Sequence, residues 1–348
     1  MANEDTREAE QAARGHVAQL AFGNMVVQTL RAATRLKVFD LIRDEERTAA
    51  EVAGAAGAQP QAMNRLLRAL AGLGLLTERA PGSFAATPAG TLLDTGRPDS
   101  MAALVVMLTD PETLRPWELL EQGIRTGAST FETVFGKDFF SYIKERPELS
   151  AQFNAAMSQG TAATAAALPH AFDFGRFTKV TDVGGGDGTL LTAVLRAHPA
   201  LSGVVYDSEE GLAQAPERLR EHDLTSRCTL VAGDFFKSVP EGSDVYLIKS
   251  VLHDWPDDLA VTILSHCREV LPPDGRVLIV DPLLPEVVDP RTAGLTYLSD
   301  LHMLVGAGGR ERTRKDFEEL CGRAGLVILS VRPIDDAYGF GLIEAKAA

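Results

Sequence analysis

The sequence predicts an α/β fold in which a doubly wound sheet of seven strands follows a mostly helical, winged-helix domain. Residues from about 15 to 165 are rich in Ala and Leu, whereas from about 178 onward short β-branched runs alternate with helical stretches. That alternation is typical of a parallel sheet with crossover helices. A glycine-rich turn after the first β-branched run indicates a ligand site at the carboxyl edge of the sheet. The predicted strands are Lys179–Val183, Gly203–Tyr206, Cys228–Ala232, Asp244–Lys249, Arg276–Asp281, Val327–Pro333 and Phe340–Lys346.

The N-terminal half has the element order of a winged helix. Apolar periodicity predicts helices over 17–42 and 61–73. Between them, Thr48 and Glu51 have the spacing of a capping box, which satisfies free amides where a helix begins. A Pro-Gly turn then predicts a small β-hairpin, which completes the helix, turn, helix, hairpin pattern.

Composition and charge restrict the partners. The net charge of −14 repels nucleic acid, and the candidate recognition helix carries only Arg65 and Arg68, so a packing or dimer module is favoured over DNA binding. No apolar run approaches the roughly 18 residues of a membrane helix, and the polar N-terminus lacks a signal-peptide core. Three widely spaced cysteines, Cys228, Cys267 and Cys321, indicate neither a disulfide frame nor a thiolate zinc site. We expect a cytoplasmic protein that acts on a small molecule.

The helical segment 110–157 carries aromatic clusters together with Trp117. Core packing explains any one of these side chains, but as a group they can roof a pocket for a flat or apolar substrate. Arg115 and Arg125 lie in the same segment and can pair with a substrate carboxylate, although solvated helix-surface arginines are the simpler interpretation.

The strongest chemical signal is the run from Val180 to Thr189, V-T-D-V-G-G-G-D-G-T, in which a strand enters a glycine-rich turn and then a helix. Glycines let a ligand approach the backbone closely, and the helix N-terminus adds amide donors. The spacing fits the dinucleotide pattern G-x-G-x-x-G poorly, because Thr189 stands where the third glycine would be.

Two further strands end in acidic residues. Asp207 follows the glycines by about 20 residues, where a carboxylate can accept the hydroxyls of a ribose. Asp234 and Phe235 end the third strand and suit an adenine, the carboxylate for its amine and the ring for stacking. The fourth strand ends in K-S-V-L-H-D-W, which places His253 beside an acid and Trp255 at the same edge. The segments D-P-L-L-P, S-D-L-H-M-L and G-G-R-E-R-T follow later in the chain.

Taken in order, D-V-G-G-G-D-G, Y-D, G-D-F-F, K-S-V-L-H-D-W and G-G-R-E-R-T strongly resemble the S-adenosylmethionine (SAM) dependent O-methyltransferases of the plant caffeate and bacterial antibiotic-tailoring type. The likeness covers almost the whole chain. It implies a class I methyltransferase fold, SAM as cofactor, and a homodimer whose N-terminal helices help wall the partner's pocket. We divide the chain into a dimerisation domain (1–100), a helical linker and substrate-pocket segment (101–170) and a SAM-binding catalytic domain (171–348).

The resemblance implies a role for each matching residue. His253 matches the general base of the family, and Asp281 and Glu311 match the acids that flank and orient it. The implied cofactor-binding residues are Asp182, Gly184, Gly186, Asp207, Asp234, Phe235 and Lys249. The predicted substrate-binding residues are Trp117, Arg125, Met157, Trp255 and His302.

This chain departs from the family pattern at two places. The Leu-Pro that usually follows the ribose-binding acid is Ser208-Glu209, which leaves the ribose contact intact. The flanking acid that is commonly Glu is Asp281, which is one methylene shorter, so the orientation of His253 is less secure.

Four functions remain open from the sequence. The leading hypothesis is O-methylation of a phenol or enol, with His253 as base. The second is C-methylation of a 2-oxo acid through a metal-bound enolate, with His253, Asp254 and His302 as the two-His, one-carboxylate ligand set. The third is a SAM-binding homologue without methyl transfer, and the fourth is a DNA-binding regulator that senses SAM.

Overall fold

The computed structural model describes residues 2–288, 294–334 and 339–348, and the chain forms two compact units, 1–111 and 112–348. The three-part functional division proposed above remains a prediction. In the described residues, no helix is both long and apolar enough to span a bilayer. The cytoplasmic location stays a prediction.

The first unit contains the predicted helix, turn, helix, hairpin order. The strands form a three-stranded antiparallel sheet in the order β1-β3-β2. Phe39, Leu67 and Phe84 are fully buried in the core of this unit. The elements are α1 (Ala2–Ala21), α2 (Gly23–Arg35), α3 (Val38–Ile42), β1 (Arg47–Thr48), α4 (Ala49–Ala56), α5 (Pro60–Gly72), β2 (Leu76–Ala80), β3 (Ser83–Ala86), α6 (Pro88–Thr91) and α7 (Ala102–Leu108).

The capping box predicted at Thr48 is confirmed. The Glu51 backbone N–H donates to the Thr48 hydroxyl at 3.3 Å, and the Thr48 N–H donates to the Glu51 carboxylate at 2.7 Å. Two amides that have no partner inside the helix are thereby satisfied, which fixes where α4 begins.

The second unit begins with short helices and one long helix, and then alternates strands with helices. Its helices are α8 (Pro111–Leu114), α9 (Leu120–Thr126), α10 (Thr130–Phe135), α11 (Phe139–Lys144), α12 (Pro147–Ala171), α13 (Thr189–Ala197), α14 (Ala215–Glu221), α15 (Asp257–Glu269), α16 (Gly294–Gly306) and α17 (Arg314–Arg323). Its 3-10 helices are Arg115–Leu119, Phe174–Arg176, Gly211–Gln214 and Leu252–Asp254. Its strands are β4 (Lys179–Val183), β5 (Ser202–Asp207), β6 (Cys228–Ala232), β7 (Val245–Lys249), β8 (Arg276–Leu284), β9 (Arg312–Thr313), β10 (Leu326–Pro333) and β11 (Phe340–Ala347).

All seven predicted strands are confirmed to within three residues at each end. They form one sheet in the order β10-β11-β8-β7-β4-β5-β6, in which β11 runs antiparallel to both neighbours. The two-residue strand β9 adds an eighth, paired to the end of β8. One face of the sheet packs on α12, α13 and α14, and the other on α15 and α17. The strand order reverses at β4, so the carboxyl ends of β4, β5 and β7 border a crevice.

Candidate active site

The glycine-rich turn lies at the carboxyl end of β4, as predicted, and its conformation requires glycine. Gly184 has a φ of 72°, a value that side chains disfavour. A Cβ there would come within 2.5 Å of the Val251 side chain, two residues before His253. The turn and the histidine loop therefore pack directly on each other. Gly186 also has positive φ, and a Cβ on it would meet open space, so this part of the turn faces a cleft.

Asp207 at the end of β5 is hydrogen-bonded directly to the turn. Its carboxylate accepts from the backbone N–H of Gly186 at 2.8 Å and from that of Ser208 at 2.6 Å. Burial raises the pKa of Asp207, although both amides act in the opposite direction. Glycine at 211 leaves room for this carboxylate, because a Cβ there would lie 2.3 Å from Asp207 Oδ1. The position suits a carboxylate that accepts ligand hydroxyls beside the glycine turn.

Asp234 and Phe235 follow β6 on the next strand outward. Asp234 accepts from the Phe236 N–H at 2.9 Å and pairs with Lys237 at 3.1 Å, and these contacts outweigh its partial burial and lower its pKa. The Phe235 ring is partly buried and contacts the Phe236 ring edge-on at 4.8 Å. The carboxylate and the ring therefore stand together at the sheet edge, as predicted.

Asp182 and Lys249 are buried ionisable groups behind the turn, and each acts on the charge of the other. Asp182 is 1% exposed, and its Oδ2 has no hydrogen-bond partner in the described chain. Burial, reinforced by Asp207, raises the pKa of Asp182 to about 7. The Lys249 ammonium donates to the Thr161 hydroxyl at 3.1 Å, and burial lowers its pKa to about 8 despite neighbouring carboxylates. A buried carboxylate oxygen without a partner, next to an ammonium, fits an amino-acid group of a ligand.

His253 is held through one ring nitrogen only. Its Nδ1 lies 3.1 and 3.2 Å from the two oxygens of Glu311, whose side chain is fully buried. The Ser299 hydroxyl donates to the same carboxylate at 2.8 Å. Because an ionised carboxylate only accepts, Nδ1 carries the proton of this bond, and the Nε2 lone pair of the neutral ring is free to accept a proton.

Three carboxylates control the protonation of His253. Burial acts against its charged form, but Asp254, Glu311 and Asp281 together outweigh burial and raise the pKa of His253 to about 9. The nearest oxygen of Asp254 is 3.8 Å from Nε2, beyond hydrogen-bond distance. Electrostatics therefore favour the imidazolium, and the neutral base becomes the main form only above about pH 9.

Of the two acids predicted to orient His253, only Glu311 is hydrogen-bonded to its ring. Glu311 contacts the ring, whereas Asp281 accepts from the Ser250 backbone N–H at 2.7 Å and makes no hydrogen bond to His253. Its second oxygen is buried and, within the part of the chain described, has no partner. Burial raises the pKa of Asp281 to about 7. Its shorter side chain therefore acts on His253 through charge rather than contact.

Sequence reasoning missed Arg312, although it stands in the quoted G-G-R-E-R-T motif. Its guanidinium is fully buried and donates to the backbone carbonyls of Leu252 at 2.7 Å and Trp255 at 2.9 Å, on either side of His253. It also pairs with Asp257 at 2.7 Å. Gly309 supports the same loop, since a Cβ on it would lie 2.0 Å from the His253 carbonyl oxygen. The motif therefore clamps the backbone that carries the histidine.

An aromatic wall continues from the histidine loop. The Trp255 ring is stacked on Phe140 of α11 at 5.1 Å and meets Phe236 edge-on at 4.8 Å. Met157 lies partly buried on α12, one turn before Thr161, whose hydroxyl receives the Lys249 hydrogen bond. The segment predicted to roof a pocket thus reaches both Lys249 and the His253 loop.

Trp117 and His302 form a pair within the second unit. The Trp117 Nε1–H donates to His302 Nδ1 at 3.3 Å, and the ring planes lie 10° apart. Burial and the charge of His253 lower the pKa of His302, so the ring is neutral at pH 7.

The predicted metal ligands His253, Asp254 and His302 are not assembled as a set. No group of three or more His, Cys, Asp or Glu side chains suited to a metal ion occurs in residues 2–288, 294–334 and 339–348. Both Nδ1 atoms are already engaged, and with Nδ1 accepting from Trp117 the proton of His302 is on Nε2. A metal ligand needs a free lone pair, which His302 does not offer in this arrangement.

Arg125 lies apart from these residues. Its side chain is 73% exposed and pairs with Glu121 one turn earlier at 2.7 Å. The geometry corresponds to the solvated helix-surface arginine that was the simpler interpretation, so we do not carry Arg125 into the proposed site.

Two family models match the chain. Residues 18–96 match an O-methyltransferase dimerisation domain, and residues 117–327 match an O-methyltransferase domain. The second match alone covers more than half of the chain and includes every residue of the cleft described above.

Individual relatives of the chain are also methyltransferases. The chain is 43% identical to the O-demethylpuromycin-O-methyltransferase of Streptomyces alboniger, over 97% of this chain and 90% of that protein. It is 35% identical to the 8-amino-8-demethylriboflavin N,N-dimethyltransferase of Streptomyces davaonensis, over 99% of both. A solved O-methyltransferase of neocarzinostatin biosynthesis, in complex with SAM and 2-hydroxy-5-methyl naphthoic acid, superposes with a TM-score of 0.78 at 33% identity, over 93% of this chain and 96% of that one.

Proposed function

The chain belongs to the O-methyltransferase family and is a SAM-dependent methyltransferase, and from that premise we propose that it methylates a phenolic or enolic hydroxyl of a small molecule of secondary metabolism, with His253 as general base. The observation that carries the proposal is the Glu311–His253 contact, which leaves Nε2 as the free nitrogen of a buried imidazole. Streptomyces relatives named as O-methyltransferases of O-demethylpuromycin, of mitomycin biosynthesis and of 3-amino-4-hydroxybenzoate support the substrate class.

The cleft at the carboxyl ends of β4, β5 and β6 is our proposed SAM site. The unpartnered Asp182 oxygen and the Lys249 ammonium would hold the amino-acid end, Gly184 and Gly186 would border it, and Asp207 would accept the ribose hydroxyls. Asp234 and Phe235 would hold the adenine. When bound, SAM supplies an already activated methyl group on a sulfonium, so the protein needs only to place the acceptor and remove its proton.

His253 would remove that proton at Nε2, and Glu311 would hold the ring and stabilise the imidazolium that forms. The carboxylates that favour this imidazolium also keep much of His253 protonated at neutral pH, because they raise its pKa to about 9. A positive charge entering the cleft with the cofactor would oppose the imidazolium and release the base.

We also propose a homodimer built on the first unit. Val17, Leu20, Phe22 and Met25 lie on α1, α2 and their junction and are 65%, 66%, 57% and 60% exposed. Apolar side chains at this spacing form a continuous surface that a second copy would cover. The dimerisation-domain match over 18–96, which includes the last three of these four residues, supports the same arrangement.

Methyl transfer from SAM to a panel of phenols, hydroxyquinones and aromatic amines, followed by mass spectrometry, tests the proposal. We expect His253→Ala to lower turnover of the hydroxyl acceptor by about 10²- to 10⁴-fold, the usual contribution of a general base, while SAM affinity measured by calorimetry stays within a few-fold. His170→Ala, at an exposed position in the last turn of α12, is the matched control. Full turnover in His253→Ala, or methylation of amines alone, would refute the proposal.

A further inference from the structure

His302 and Trp117 form a hydrogen-bonded pair that restricts which ring nitrogen of His302 carries the proton. The indole Nε1 is 3.3 Å from the imidazole Nδ1, and the rings lie within 10° of the same orientation with centroids 6.0 Å apart. This is a side-by-side arrangement in which the N–H of one ring points at the edge of the other.

The pair fixes the tautomer of His302. An indole N–H can only donate, so His302 Nδ1 must present its lone pair. A neutral imidazole carries one proton, and that proton is therefore on Nε2. Protonation of Nδ1 would set two N–H groups against each other, which opposes the charged form of His302. The ring is held as a neutral hydrogen-bond donor at Nε2.

This donor has no partner in the part of the chain that the structure describes. The only hydrogen bond that the His302 side chain makes to those residues is the one from Trp117. The Nε2 atom is not among the buried polar atoms without a partner in those residues, so it retains some exposed surface. An accessible N–H donor of fixed direction is the kind of group that orients ligands in a pocket.

His302, which carries the donor, is linked through contacts on α16 to His253, the proposed base. Ser299 and His302 are three residues apart on α16 and share one helix face. Ser299 contacts Glu311, which contacts His253 Nδ1, and the charges of His253 and His302 act on each other. His302 thus lies on the same face of α16 as Ser299, which contacts the carboxylate that holds the base.

Resting on the proposed function, we propose that His302 determines substrate specificity by donating its Nε2–H to an oxygen next to the hydroxyl that is methylated. The acceptor would be a ring with a carbonyl ortho or peri to the reacting hydroxyl, as in hydroxyaryl ketones and hydroxyquinones. A neutral carbonyl suits this place better than a carboxylate, because Asp254 and Glu311 already supply negative charge beside His253. Trp117 acts as a positioning residue through His302.

The test compares two isomers, ortho-hydroxyacetophenone and para-hydroxyacetophenone, which differ in the distance between carbonyl and hydroxyl. The ratio of their kcat/KM values is measured for the wild type and for His302→Phe, which keeps a ring but removes the donor. We expect the preference for the ortho isomer to fall by about 3- to 10-fold, the worth of one neutral hydrogen bond, mainly through KM. His302→Gln, which keeps an N–H near Nε2, should restore part of the preference.

Trp117→Phe removes the indole donor and releases the tautomer, so the same ratio should fall by a smaller factor. The ¹⁵N shifts of His302 provide a readout without substrate: we expect a proton on Nε2 in the wild type and a mixture of tautomers in Trp117→Phe. A ratio that His302→Phe leaves unchanged, or a wild-type proton on Nδ1, would overturn the proposal.

Binding of the two isomers distinguishes failure of the proposed function from failure of the proposed role of His302. Suppose that the wild type transfers no methyl group to either isomer but binds the ortho isomer more tightly when S-adenosylhomocysteine is present. If His302→Phe then loses this preference, the recognition role of His302 stands and the proposal of O-methylation is refuted. If neither isomer binds, the recognition role is overturned.

Discussion

Replacing Glu311 by glutamine isolates the electrostatic control of the proposed base. The carboxylate lies 3.1 Å from His253 Nδ1 and is fully buried, so solvent screens its charge weakly. A glutamine side chain at this position would have nearly the same shape but no charge. The substitution therefore changes the protonation of His253 while removing little packing.

The expected change in the pKa of His253 follows from its contact with Glu311. A carboxylate at this distance raises the pKa of a histidine by about 1 to 3 units, or about 1.4 to 4 kcal/mol. The wild-type pKa is about 9, with Asp254 and Asp281 also contributing, so loss of Glu311 should lower it to between about 6 and 8. The plateau rate should fall by about 10²-fold or more, because the amide can also donate to Nδ1 and so select the wrong tautomer.

The assay is kcat/KM for one phenol as a function of pH. Activity requires neutral His253, so it should rise with pH through about 9 in the wild type and through a lower pH in Glu311→Gln. Ionisation of the phenol is the same for both enzymes and drops out of the comparison. Glu318→Gln, an exposed i,i+4 partner of Arg314, is the matched control.

Stability needs a separate check. Folding raises the pKa of His253 above its ordinary 6.5, so the protonated cluster contributes stability below that pH and loses it as the pH rises through about 9. Rates above pH 8 should therefore be taken after confirming by circular dichroism that the protein is folded. A rising limb at the same pH in Glu311→Gln and the wild type would refute the reasoning.

Two further substitutions separate cofactor binding from positioning. Asp207→Ala should weaken SAM binding by about 10- to 100-fold in calorimetry, since it removes a charged acceptor beside the glycine turn, whereas exposed Glu209→Ala should not; equal affinities would rule out the ribose role. Arg312→Lys should lower kcat by about 10- to 100-fold with SAM affinity nearly unchanged, because one ammonium cannot span the carbonyls of Leu252 and Trp255 together with Asp257. A parallel loss of SAM affinity in Arg312→Lys would mean that this arginine supports the fold rather than the loop.

Local patterns were sufficient for the elements of this fold. The seven strands, the capping box at Thr48 and the glycine turn before Thr189 each depend on residues a few positions apart, and such residues experience the same local backbone constraints. The order of acidic strand ends then places Asp207 and Asp234 at one edge, because parallel strands end on the same side of a sheet. Which residues gather at this edge was therefore predictable, and their role in holding the cofactor remains a prediction.

The contacts around His253 were decided only by the tertiary structure. Which of two acids touches the imidazole depends on side-chain length and on where Ser250 directs its N–H, and the fold assigns contact to Glu311 and charge alone to Asp281. Whether Arg125 enters a pocket or remains in solvent depended on the rotation of one short helix, which periodicity over so few residues does not define.

The sequence by itself determined the strands along the chain and the residues at the carboxyl edge of the sheet, because these follow from short-range patterning and from the geometry that all parallel sheets share. The resemblance of its motifs determined the family. Only the tertiary structure decided the buried Arg312 clamp and the tautomer of His302, and with it the exclusion of the His302 metal ligand. Those features join segments that are 55 to 185 residues apart in the chain, and side chains that far apart meet only through the packing of the whole unit.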